Sequence, residues 1–304
     1  MRHTLVAATP AGLVRVIEEP TGGWRAEQAL AGHDVRCLAL DGATVYAGTQ
    51  VGDVYSSTDT GRTWRASTLG GAPVKSIAVG SGMVYAGTKE PRVHVSHDGG
   101  ESWRPLGRFS RVRGWWWAQP AERPFRPSYV SALAVTPDAI VAGIEACGVL
   151  RSTDGGLTWS GHRRAALRDC HELLSVGDQV YEAGAGGLAV SSDDGRTWKR
   201  RRQGLDRRYG WSVAVGRATA YLAVAPYRTA HSNNSRARIF RAGGDQSWLP
   251  CTDELPSLPR LRAREDEVFA ALGDGSLLHS TDRGDSWSHL PVDLGGPSRA
   301  LLTL

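Results

Sequence analysis

Several short stretches of the 304-residue chain carry side chains able to move protons or hold anions. GIEACG supplies Glu145, YEAGAGG supplies Glu182, and LRDCH supplies Arg168, Asp169 and His171. DRRYGW adds Arg208, Tyr209 and Trp211, and the loop APYRTAHSNNSR at 225–236 adds Arg228 and His231. Arg126 and Tyr129 flank a Pro-rich link that also holds the run Trp115, Trp116 and Trp117. Carboxylates beside a histidine and a tyrosine suit acid–base work, so Glu145, Glu182, Asp169, His171 and Tyr209 are the candidate catalytic groups. Arg126, Arg168, Arg208 and Arg228 suit an anionic group, with Tyr129, Trp211, His231 and Trp116 as polar or stacking partners. Each also has a plainer role: an ion pair for the glutamates, a gap-filling strand residue for His171, a plug at a channel mouth for the tryptophans.

The elements that position these residues come from a repeat. The pattern Ser-x-Asp-x-Gly-x-Thr/Ser-Trp occurs at 57–64, 96–103, 152–159, 191–198 and 280–287, and worn copies end at Trp24 and Trp248. Ahead of each box stand two apolar runs of four to seven residues, such as VRCLAL then TVYAGTQ and VKSIAV then MVYAGTK. One run leads into the box and another follows its tryptophan. Four strands in about 40 residues is the pattern of a propeller blade. Seven tryptophans predict seven blades in one all-β domain over 1–304. The expected blades are about 1–30 plus 298–304, 33–68, 73–107, 128–162, 169–203, 209–251 and 256–292. SRALLTL at 298–304 reads as the missing innermost strand of the first blade, closing the ring and hiding two sheet edges.

Within the box, Ser and Asp are expected to bond the turn backbone, Gly to take the positive φ, and Trp to wedge between sheets. The box is therefore scaffold. Two insertions break the spacing, at 107–128 and 225–236, and both fall on the face away from the boxes. Insertions on one face of a repeat array mark a binding face, and that face is where the candidate residues collect.

The box resembles the Asp-box, or BNR repeat, of bacterial sialidases, sortilin-type receptors and photosystem II assembly factors. That resemblance implies a β-propeller and two classes of function. One is a glycoside hydrolase or related enzyme acting on a small anionic or sugar-like substrate, through paired carboxylates or a tyrosine nucleophile. The other is a non-catalytic binding or assembly module for a protein partner. An isomerase or lyase built on His171, Asp169 and Glu145, with or without a metal, is a third, weaker reading. PFRP at 124–127 resembles a sialidase segment but lies in the link to the fourth blade, and sialidase propellers have six blades. The pattern therefore departs from sialidases proper.

Composition narrows the classes further. The net charge is +5, with 36 Lys and Arg against 31 Asp and Glu, and only Lys75, Lys89 and Lys199 are lysines. The arginines are dispersed, which speaks against a nucleic-acid partner. No apolar stretch is long enough to span a bilayer as a helix, so no membrane partner is expected. Cys37, Cys147, Cys170 and Cys251 lack paired or metal-finger spacing, and read as reduced thiols of a cytoplasmic protein. No cofactor is expected and no metal ligand set is assigned, a metal role entering only as the minority option for His171 beside Asp169 and Glu145.

Overall fold

The computed structural model describes residues 2–107, 109, 128–163, 165–244 and 246–304. Its strands form seven antiparallel sheets, the blades of a β-propeller. The C-terminal strand Ala300–Thr303 pairs with Thr4–Thr9 in the order expected for ring closure, matching Leu301 with Ala7 and Ala300 with Ala8. Six sheets have four strands. The fourth blade has three (Val130–Val135, Ile140–Ile144, Gly148–Ser152), extended by an isolated bridge between Arg151 and Ser160.

Successive strand residues point to opposite faces, and here both faces are buried. In Thr4–Thr9, Leu5 and Ala7 enter one core cluster while Val6 and Ala8 enter the next. The core is thus divided into layers between adjacent blades, and the repeat tryptophans sit in them. Trp198 packs between the fourth and fifth blades with Val141, Leu173 and Val180, and Trp159 between the third and fourth with Tyr85 and Ile140.

The boxes close on themselves. In the third of them, Ser152 Oγ donates to Asp154 Oδ1 at 2.8 Å and accepts from Gly156 N at 2.9 Å. Thr158 N and Oγ1 both donate to Asp154, at 2.8 and 2.5 Å, and Trp159 Nε1 donates to Gly156 O at 3.1 Å. These bonds, with that of the Thr158 hydroxyl foremost, hold the Asp154 carboxyl below its usual range. Both its oxygens are used locally, which is the structural role expected of the repeat.

The inner strands line the channel, and five share one irregularity. The pairing register slips between Val35 and Cys37, Val74 and Ser76, Val130 and Ala132, Cys170 and Glu172, and Gly210 and Ser212. A bulge adds one unpaired residue and re-aims its side chain. The added residues are Arg36, Lys75, Ser131, His171 and Trp211, and all five line the cavity at one end of the channel. The two remaining blades contribute Arg260 and Arg299 to the same cavity.

Candidate functional site

The cavity has a volume of about 550 Å³ and opens on the face away from the boxes. Besides the seven inner-strand residues it is lined by Tyr129, Glu145 and His231, with Pro297 and Ser298 at the rim. A narrower space of about 100 Å³ continues down the channel. There Glu172 of the fifth blade takes Arg262 of the seventh at 2.8 Å and the Val213 amide at 2.9 Å. That bridge skips the blade between them and ties the channel walls together below the mouth.

Local packing brings the carboxylates to the histidine. Glu145 follows the strand Ile140–Ile144, and the next residue, Ala146, takes a φ of 52°. Asp169 Oδ1 accepts the Ala146 amide at 3.2 Å, so the residue before the fifth blade is anchored to the turn after Glu145. The approach depends on Gly143, where a Cβ would lie 2.4 Å from Cys170 Sγ. Ser131 Oγ completes the join, donating to Cys170 O at 2.6 Å. His171 is then fixed from the other side: its Nδ1 lies 2.6 Å from Gly210 O, and its ring packs on Tyr209 and Trp211 at 4.5 and 5.1 Å. Since a carbonyl only accepts, Nδ1 carries a proton, and Nε2 faces Asp169 Oδ2 at 3.4 Å.

Burial opposes the charge of Asp169, while His171, the Ala146 amide and His231 favour it and leave the carboxyl below its ordinary range. Burial foremost, then Glu145 and Asp169, pushes the Tyr129 phenol up; burial, Asp169 and Glu145 do the same to Tyr209. Both phenols stay protonated; that of Tyr129 lies near Glu145, and the Tyr209 hydroxyl is 2.8 Å from His231 Nε2.

Opposite this group stand four cations that sequence reasoning passed over. Arg36 and Arg299 share Asp34, at 3.4 and 3.2 Å. Arg260 lies over the Trp211 ring, 4.4 Å from its centroid, and its Nε has no hydrogen-bond partner among the described residues. Lys75 reaches Gln50 Oε1 at 3.3 Å and stands over the Tyr129 ring. Burial, reinforced by Arg36, Lys89 and Arg299, lowers its ammonium to about 8. The signal was present in the sequence: the second residue of six innermost runs (VRC, VKS, VSA, CHE, GWS, SRA) is polar or aromatic.

Of the residues singled out from sequence, Glu145, Asp169, His171, Tyr209, Tyr129, Trp211 and His231 come together at this mouth. Glu182 does not. It is wholly buried and sits in the register of Ala47, Ala86 and Ala142, each opposite the corresponding Leu or Ile of the inner strand. Its side chain therefore faces the core between blades, where Oε2 accepts the Leu167 amide at 2.7 Å. Burial pushes its carboxyl up to about 8. Arg168, Arg208 and Arg228 are exposed and do not line the cavity. Arg126 and Trp116 lie outside the described residues, as does most of the 107–128 insertion. A larger cavity of about 690 Å³ opens between the outer parts of the sixth and seventh blades, but there Arg241 is already paired with Asp285.

No family model matches the chain, and no curated protein does. Solved structures do resemble it. YCF48 bound to a D1 peptide superposes with a TM-score of 0.60 at 15% identity, over 88% of this chain and 85% of that one. An ancestral GH74 enzyme gives 0.61 at 17% identity over 89% of this chain, which spans only 38% of the enzyme. The WD40 repeats of RRP9 give 0.62 at 12% identity, over 97% and 88%. At these identities the likeness is one of fold, shared by enzymes and non-enzymes alike.

Proposed function

We propose that the chain is an enzyme acting on a small anionic, sugar-like substrate at the channel mouth, with glycoside hydrolysis as the reaction type. The observation that carries this reading is the charge division of the mouth. Arg36, Lys75, Arg260 and Arg299 line the cavity that Glu145 and His171 also line. Such a ring offers several converging donors to a carboxylate or phosphate, in a concavity where opposite charge is concentrated. Trp211, stacked beneath Arg260, gives a flat apolar face for the rest of the ligand. Glu145, beside the Tyr129 phenol, is the group for proton transfer, with Asp169 the second carboxylate.

The test is turnover across sialosides, uronides and sugar phosphates. At least one acidic glycoside should be cleaved, and Glu145→Gln should lower its kcat by about 10²-fold or more while leaving the melting temperature in place. Cleavage unaffected by that substitution would refute the assignment.

A second reading draws on the neighbour that holds a peptide. The same cations suit the C-terminal carboxylate of a protein partner. Binding of acidic peptides, with no turnover of any glycoside, would select it.

A further inference from the structure

We infer that Glu145, Asp169 and His171 form a binding site for one divalent transition-metal ion of the zinc or manganese type. The inference rests on the mouth being the functional site and revises its roles: with the ion bound, Glu145 and Asp169 would hold it, and an ion-bound water would take the place of Glu145 in proton transfer. One donor atom from each of the three side chains lies within 4.8 Å of the others. Donors about 2.1 Å from a shared ion stand about 3 to 4.2 Å apart, so small side-chain adjustments close the set.

The second observation is the state of the histidine. Its side chain is 2% exposed, and Nε2 has no hydrogen-bond partner among the described residues. Because Nδ1–H is engaged by Gly210 O, Nε2 is the ring atom left to face Asp169 Oδ2, at 3.4 Å. Either a proton on Nε2 or a cation held between the two joins them. A ring nitrogen held this way, with its other N–H on a backbone carbonyl, is the usual setting of a metal-bound histidine. Asp169 is oriented too, its Oδ1 accepting from the Ala146 amide at 3.2 Å.

One nitrogen and two carboxylate donors suit zinc or manganese better than calcium, which takes six to eight oxygens. Three protein ligands leave coordination positions toward the cavity, where an anion held by Arg36, Lys75, Arg260 and Arg299 would complete the shell.

Chelator-treated protein titrated calorimetrically with Zn²⁺, and separately with Mn²⁺, tests the site. One equivalent of one of these ions should bind, and Glu145→Gln and His171→Asn should each weaken it at least tenfold with melting temperatures within a few degrees of the parent. Substitution with Co²⁺ should give visible absorption that His171→Asn removes. Absence of a saturable equivalent, or uptake unchanged in both variants, overturns the inference and identifies the contact as a protonated histidine on Asp169. Glucuronate titrated into the chelated protein separates the two claims. Binding there without metal uptake leaves the anion site standing and removes the metal; metal uptake with no effect of any anion does the reverse.

Discussion

Glu182 allows a sharp test of the division between scaffold and site. It is an ionisable group in a register reserved for alanine in other blades, and its carboxyl is pushed from 4.5 up to about 8 by burial. Between those values the folded chain holds a proton that the unfolded chain has released. Stability is therefore complete below about pH 4.5 and declines as pH rises through about 8. At 1.36 kcal/mol per unit the ceiling is about 5 kcal/mol, and relaxation of the interior should leave about half of it. Glu182→Gln keeps an oxygen for the Leu167 amide and removes the ionisation. Urea denaturation at pH 5 and pH 8 should show the parent losing about 2 kcal/mol more than the variant across that interval, equivalent to about 3 °C in melting temperature. Ligand binding at pH 6 should be the same in both. Identical pH dependence in the two proteins would refute the burial argument, and loss of turnover in the variant with its fold intact would return Glu182 to the catalytic set.

Gly143→Ala should destabilise by about 1–3 kcal/mol, because the new methyl meets Cys170 Sγ; it should also weaken ligand binding, and Cys170→Ala in the same chain should restore part of both. Anion affinity should fall as pH rises through about 8, where Lys75 loses its proton, and calorimetry at pH 6.5 and 9 should find that step absent in Lys75→Met. Trp198→Ala removes a nearly buried ring that fills the layer between two blades, and should cost about 3–5 kcal/mol in equilibrium unfolding.

The architecture was legible because the repeat's signals are local. Ser152, Asp154, Gly156 and Trp159 satisfy one another within eight residues, so their spacing in the sequence records their geometry directly. The insertions pointed to the face on which the cavity opens. Glu145, Asp169, His171 and Tyr209 were singled out because they break the repeat, and they meet at the mouth of that cavity. The cation ring was missed because it depends on bulges: by strict alternation Arg36 and Lys75 are single polar residues in apolar strands, and only the register slip turns them into the channel. Glu182 was misplaced for the converse reason. Its apparent likeness to Glu145 ignored that one stands inside its strand, Gln179–Gly184, and the other beyond the end of Ile140–Ile144.

On the function proposed here, the channel mouth selects negative charge through Arg36, Lys75, Arg260 and Arg299. Calorimetric titration of glucuronate against glucose, with phosphate as a second anion, addresses it most directly in the parent and in Arg260→Met. One of the anions should bind at least tenfold more tightly than glucose, with a margin that shrinks with added salt and is mostly lost in Arg260→Met. Equal affinity for charged and neutral ligands, or an anion preference untouched by loss of Arg260, would contradict it.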